Sequence, residues 1–178
     1  MEILHLENSH HARQVFSSEY GGGYLKGWNL CFEDTITGLH EELYDDNGFY
    51  TYKGYEKYDF VVIDLAISMP SLTKAEICEH IKELNIPEVP MLCEADIPLW
   101  GLDYYKHVIA VRPETRKMVE EGRVILFSGH AAKIREKGLY NEKDPIYVNT
   151  RLIDRGVGDS TTELVELIKS IGSRNNRR

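Results

Sequence analysis

Four positions carry groups suited to chemistry, and each follows a short apolar run. Asp64 follows Phe60-Val61-Val62-Ile63, and Ser128 follows Val124-Ile125-Leu126-Phe127. Glu7 and Asn8 follow Glu2-Ile3-Leu4-His5-Leu6, and Asn149-Thr150-Arg151 follow Ile146-Tyr147-Val148. A carboxylate with a second acid beside it can hold Mg²⁺, which takes oxygen ligands and keeps several waters. An Asp carboxylate can also act as a nucleophile and form an aspartyl phosphate. The metal would neutralise charge on the incoming phosphoryl group, and a hydroxyl would donate to one of its oxygens.

These groups share a site only if the four runs are neighbouring strands. Phe60-Val61-Val62-Ile63 is continuous, apolar and largely β-branched, the pattern of a strand buried on both faces of a parallel sheet. Helical stretches separate the runs. One is expected from His10 to about Tyr20, stopped by Gly21-Gly22-Gly23. A second, 73–84, opens with Thr73 and Glu76 as a capping box and carries Ile77, Ile81 and Leu84 at helical spacing. Others run from Trp100 or Gly101 towards Val111, from Pro113 to Gly122, and from Ala131 to Lys137, with Gly138 after it. The closing helix starts at Ser160-x-x-Glu163 and ends at Gly172. Leu30-Cys31-Phe32 reads as a further strand, and Asp46-Asn47-Gly48 as a hairpin turn. Such alternation argues for an open parallel sheet with helices on both faces, where ligands bind at the C-terminal ends of the strands. Glu7, Asn8, Asp64, Ser128 and residues 149–151 are the residues expected there.

Length and charge narrow the function classes. The 178 residues suit one domain, expected over 1–172, with 173–178 as a basic tail. The net charge of −8 disfavours nucleic acid as a partner. No stretch reaches the ~20 apolar residues of a membrane span. The start, Met1-Glu2-Ile3-Leu4-His5, lacks the basic region of a secretory signal. Cys31, Cys78 and Cys93 are odd in number and show no Cys-x-x-Cys spacing, so reduced thiols and a cytoplasmic location are expected. The adjacent His10 and His11 would point in different directions on a helix, which argues against one metal held by both. Gly21-Gly22-Gly23 follows the first helix instead of preceding it, so it is not a dinucleotide cradle.

In this order the runs resemble the receiver domain of two-component response regulators. Met1-Glu2-Ile3-Leu4-His5-Leu6-Glu7-Asn8 is similar to the family's first strand and the acidic pair after it. Tyr58-Asp59-Phe60-Val61-Val62-Ile63-Asp64-Leu65 is similar to the strand that presents the phosphoacceptor, with Met69-Pro70 echoing a Met-Pro that follows. Val124 to Gly129 resembles the strand bearing the switch hydroxyl, and Gly101-Leu102-Asp103-Tyr104-Tyr105 the start of the third helix. The resemblance implies a flavodoxin-like (CheY-like) doubly wound α/β sandwich around a five-stranded parallel sheet. It implies Asp64 as phosphoacceptor, Glu7, Asn8 and Asp64 as Mg²⁺ ligands, and Ser128 and Tyr147 as the switch pair. It places Thr150 where the family has Lys, with Arg151 beside it. It implies a sensor kinase or other signalling protein as partner, and is compatible with a homodimer.

The chain also departs from that pattern. The acidic pair is Glu7-Asn8, the Lys position reads Thr150, and Arg is not equivalent to Lys. Residues 71–99 read as an inserted, partly helical segment after the third strand, and 33–57 do not read as the family's second helix. Two signalling readings follow: a receiver phosphorylated on Asp64, or a pseudo-receiver that is never phosphorylated and serves as an interaction module. A third, a metal-dependent phosphatase with an aspartyl nucleophile, would show a second acid two residues on, where the chain has Ala66.

Overall fold

The structure is a computed structural model and describes residues 1–7, 9–19, 28–33, 57–67, 93–94, 97–111, 113–156 and 159–175. Its elements are β1 (Glu2–Leu6), α1 (His10–Glu19), β2 (Asn29–Glu33), β3 (Phe60–Asp64), β4 (Cys93–Glu94) and β5 (Ile97–Pro98). They continue with α2 (Trp100–Tyr104), a π-helical turn (Tyr105–Ile109), α3 (Pro113–Glu120), β6 (Val124–Ser128) and α4 (Ala131–Glu136). A 3₁₀ turn (Pro145–Tyr147), β7 (Arg151–Asp154) and α5 (Ser160–Asn175) complete the set.

Five strands form one sheet in the order β2-β1-β3-β6-β7, and every neighbouring pair is parallel. Counting only these strands, the order is 2-1-3-4-5, that of the doubly wound α/β class expected from the sequence. β4 and β5 make a separate antiparallel pair.

The apolar runs act as strands because both faces of the sheet are covered. β3 and β6 are buried at all five positions. Val61, Ile63 and Leu126 pack with Leu102, Tyr105 and Met118 on one face. Phe60, Val62, Ile125 and Phe127 pack with Leu164, Val165 and Ile168 of α5 on the other. Each such side chain stabilises the fold by about 1.5–3 kcal/mol relative to exposure. The sheet order reverses between β1 and β3, the place where doubly wound sheets bind ligands at the C-terminal ends of their strands.

The last strand departs from the sequence expectation. Ile146-Tyr147-Val148 is not a strand; residues 145–147 form the 3₁₀ turn and the strand begins at Arg151. Asp144 caps the turn, its Oδ1 accepting from Ile146 N at 3.1 Å. Pro145 has no N–H to give a ladder. Tyr147 turns inward, stacks on Tyr105 at 5.6 Å between ring centroids and donates its hydroxyl to Leu139 O.

The cap of the closing helix differs as well. Ser9 Oγ accepts from Ala12 N at the start of α1, and Asp159 carries the cap expected of Ser160. Asp159 Oδ1 accepts from Thr162 N at 3.1 Å, while Ser160 Oγ donates to Arg155 O. α5 also runs past Gly172, whose bare Cα faces Met1. The expected helix 73–84, the hairpin around Asp46-Asn47-Gly48 and Met69-Pro70 lie outside the described residues. Among the described residues, no helix is long and apolar enough to cross a membrane.

Candidate functional site

The strand register brings three of the expected groups together. Leu6 pairs with Ile63, so Glu7 leaves β1 beside Asp64. Asp64 pairs with Phe127, which sets Ser128 next to it at the end of β6. Ser128 in turn pairs with Asp154, and the chain leaves β7 through Arg155.

Glu7 and Asp64 are almost fully buried, at 0% and 1% exposure, and each uses both carboxylate oxygens. Glu7 Oε1 accepts from Ser9 N at 2.8 Å, and Asp64 Oδ1 accepts from Ala66 N at 3.0 Å. Their remaining oxygens meet one atom. Arg155 Nη1 donates to Glu7 Oε2 and lies 3.3 Å from Asp64 Oδ2. The Ser128 hydroxyl hydrogen-bonds Asp64 and also accepts from His130 N at 3.2 Å.

Arg155 is held at its backbone. Its N–H donates to Ser128 O at 3.0 Å and its carbonyl accepts from Ser160 Oγ. Its guanidinium lies along Gly129. Asp154 points elsewhere, its Oδ1 accepting from Gly156 N in the turn.

One guanidinium therefore faces two buried carboxylates. Burial raises the pKa of both above the ordinary carboxylate range. The neighbouring Asp64 charge raises Glu7 further, while the Ser9 N–H and Arg155 oppose. For Asp64, Arg155, the Ala66 N–H and Ser128 oppose the rise without cancelling it.

The other expected site residues lie elsewhere. Tyr147, Thr150 and Arg151 are at or before the start of β7, whereas Asp64 is at the C-terminal ends of the parallel strands. Thr150 is buried and its Oγ1 lies 2.6 Å from the Tyr105 hydroxyl. Arg151 is exposed and lines, with Val148 and Arg174, a cleft of about 570 Å³. Asn8 lies outside the described residues. The residue that sequence reasoning missed is Arg155. Its signal was Leu152-Ile153 followed by Asp154-Arg155-Gly156, an apolar pair ending in charge and a turn glycine.

These donors do not suit Mg²⁺. Mg²⁺ needs near-octahedral oxygens at about 2.0–2.1 Å and retains waters. Here the two oxygens that face each other are taken by Arg155, and the outer two by backbone N–H groups. Among the described residues, no group of three or more His, Cys, Asp or Glu side chains is placed to hold a metal ion.

His5, also on β1, lies behind the pair. It is buried, with its ring 5.4 Å from Phe32 and 6.2 Å from Phe127. Burial first, and then the Arg155 charge, lower its pKa to about 3. The unfolded chain protonates His5 near pH 6.5 while the folded chain resists to about 3. The unfolded state thus binds more protons across that window, and the contribution to stability is full above it and lost as pH falls. At about pH 4.5 the folded chain is expected to lose roughly 2–3 kcal/mol through this group, at 1.36 kcal/mol per pH unit. Glu7 and Asp64 act with the opposite sign and offset part of the fall. Urea midpoints at about pH 7 and pH 4.5 for wild type and His5→Leu check this. An equal drop in both proteins would assign the acid limb to another group.

No family model matches the chain, and no curated protein does. Among solved structures it is similar to the Francisella response regulator 1452 receiver domain, at 13% identity and TM-score 0.43, covering 98% of each chain. It is likewise similar to the signal receiver domain of a putative Luxo repressor protein from Vibrio parahaemolyticus. That match has 11% identity and TM-score 0.42, and covers 99% of this chain and 96% of the other. Both of these are receiver domains.

Proposed function

We propose that the chain is a receiver-like signalling module that works through contact with another protein, with its acidic pocket closed and unphosphorylated. The supporting observation is the state of Asp64. A phosphoacceptor must present a carboxylate oxygen to the donor's phosphorus. Asp64 is 1% exposed, with Oδ1 on Ala66 N and Oδ2 facing Arg155. Arg is a planar fork that stays charged, so it holds the carboxylate where a Lys would act as a movable point charge.

This is the pseudo-receiver reading. The partner class is a signalling protein, with a sensor kinase or a second copy of this chain among the candidates. The acidic balance disfavours nucleic acid. The Ser128 hydroxyl beside Asp64 favours the second reading, a receiver phosphorylated on Asp64 once Arg155 is displaced.

A small phosphodonor with Mg²⁺, read by intact mass beside an active control receiver, separates the two. We expect no phosphoryl gain on the wild-type chain. A gain that Asp64→Asn removes would establish the second reading. The partner side has its own test: Asp64→Asn is expected to leave partner binding unchanged, and its loss would count against a closed pocket as the working state.

A further inference from the structure

The two oxygens Glu7 Oε2 and Asp64 Oδ2 come from different strands, yet both turn to one nitrogen, Arg155 Nη1. Two buried carboxylates so close repel each other unless a cation lies between them. We infer that the chain supplies this cation itself: Arg155 is the pocket's resident counter-ion and takes the place of a divalent metal.

The surroundings support a built-in ion. The outer oxygens are fixed by Ser9 N and Ala66 N, so the inner pair is aimed at the guanidinium position. Arg155 is fixed by its own backbone, to Ser128 O on one side and Ser160 Oγ on the other. Its side chain is 31% exposed while Glu7 and Asp64 are at 0% and 2%. Among the three charged groups, the guanidinium is therefore the one that meets solvent, with both carboxylates behind it. An ion tethered to the chain faces the pair at a very high local concentration, so a free divalent ion at millimolar level competes poorly.

The cation is on the connection between β7 and α5, so the charge of the pocket is tied to that connection and not to the metal content of the medium. Removing the guanidinium while keeping both acids should uncover a weak divalent-cation site made of Glu7, Asp64 and water. Such a site would have two carboxylates and retained waters, which suits Mg²⁺ or Mn²⁺.

The inference concerns which ion fills the pocket, and it stands or falls separately from partner binding and phosphorylation. The test is a Mn²⁺ titration followed by NMR, on wild type and on Arg155→Gln. In wild type, the Leu65 and Ala66 amide signals are expected to broaden no more than those of exposed acidic surface positions, and chelator to leave the melting temperature unchanged. In Arg155→Gln the same two signals should broaden saturably, melting should rise with Mn²⁺, and Glu7→Gln in that background should remove both effects. Selective broadening at Leu65 and Ala66 in wild type would overturn the inference. So would a folded Arg155→Gln protein in which they stay sharp. If Arg155→Gln folds only when Mn²⁺ is added, that rescue supports the inference directly. If it does not fold at all, the wild-type arm decides.

Discussion

Gly101→Ala is expected to cost the folded chain about 3 kcal/mol or more, lowering its melting temperature by roughly 6–12 °C. Gly101 opens α2, which lies on β3 just past Asp64. A Cβ there would overlap the carbonyl oxygen of Asp64 and lie 3.0 Å from both Asp64 C and Leu65 Cα. All three are backbone atoms, so no rotamer change relieves the overlap. α2 must retreat, and Leu102, Tyr104 and Tyr105 are fully buried behind it. The variant therefore loses core packing and shifts the peptide that aims Asp64 at Arg155. Gly138→Ala is the control. Gly138 has φ of +68° and nothing within 4 Å of an added Cβ, so it pays only for the left-handed backbone, about 1 kcal/mol. Thermal melts of the two variants should differ by several degrees. Equal losses would show that backbone conformation, and not the approach of α2 to β3, sets the value of Gly101.

The sequence made the sheet and half of the pocket legible, for a physical reason. A strand buried on both faces must be apolar at every position, and Phe60-Val61-Val62-Ile63 and Val124-Ile125-Leu126-Phe127 satisfy that without competition. Their ends, Asp64 and Ser128, follow directly, and Glu7 follows from the first strand. β7 is different because it is an edge strand. It has two buried residues, Leu152 and Ile153, between an exposed Arg151 and a half-buried Asp154. Ile146-Tyr147-Val148 outweighs that pair as a pattern, although its apolar side chains serve a turn. The distinction depends on contacts made far along the chain, such as Tyr105 stacking on Tyr147 and hydrogen-bonding Thr150. A strand at Ile146-Tyr147-Val148 ends in Thr150-Arg151 and not in Arg155, so the cation of the site stays hidden in the sequence. In the sequence Gly101 shows only as a helix start, because its closeness to Asp64 is a property of the packed pair.

Arg155→Ala is the second large effect, and its size should depend on pH. The substitution leaves Glu7 and Asp64 buried side by side with no cation between them. Breaking a buried ion pair from one side costs about 3–5 kcal/mol. Arg155 is a third exposed, so water screens part of this, and about 2–4 kcal/mol is expected at neutral pH. Both carboxylates already have raised pKa values in the folded chain, so the folded state holds protons that the unfolded state releases. Their favourable contribution is full below the unfolded carboxylate range near pH 4 and is lost as pH rises through the raised folded values. Without Arg155 those folded values rise further. The variant should thus lose stability more steeply than wild type between about pH 4 and neutrality, and the gap between the two proteins should narrow as acid supplies the missing positive charge. Asp64→Asn in the Arg155→Ala background removes one of the two like charges and should recover on the order of 1 kcal/mol at neutral pH, with a flatter profile. Urea unfolding of the three proteins across that range checks the sign. A gap that stays constant with pH would mean that Arg155 holds the β7–α5 connection by packing along Gly129 and not by its charge.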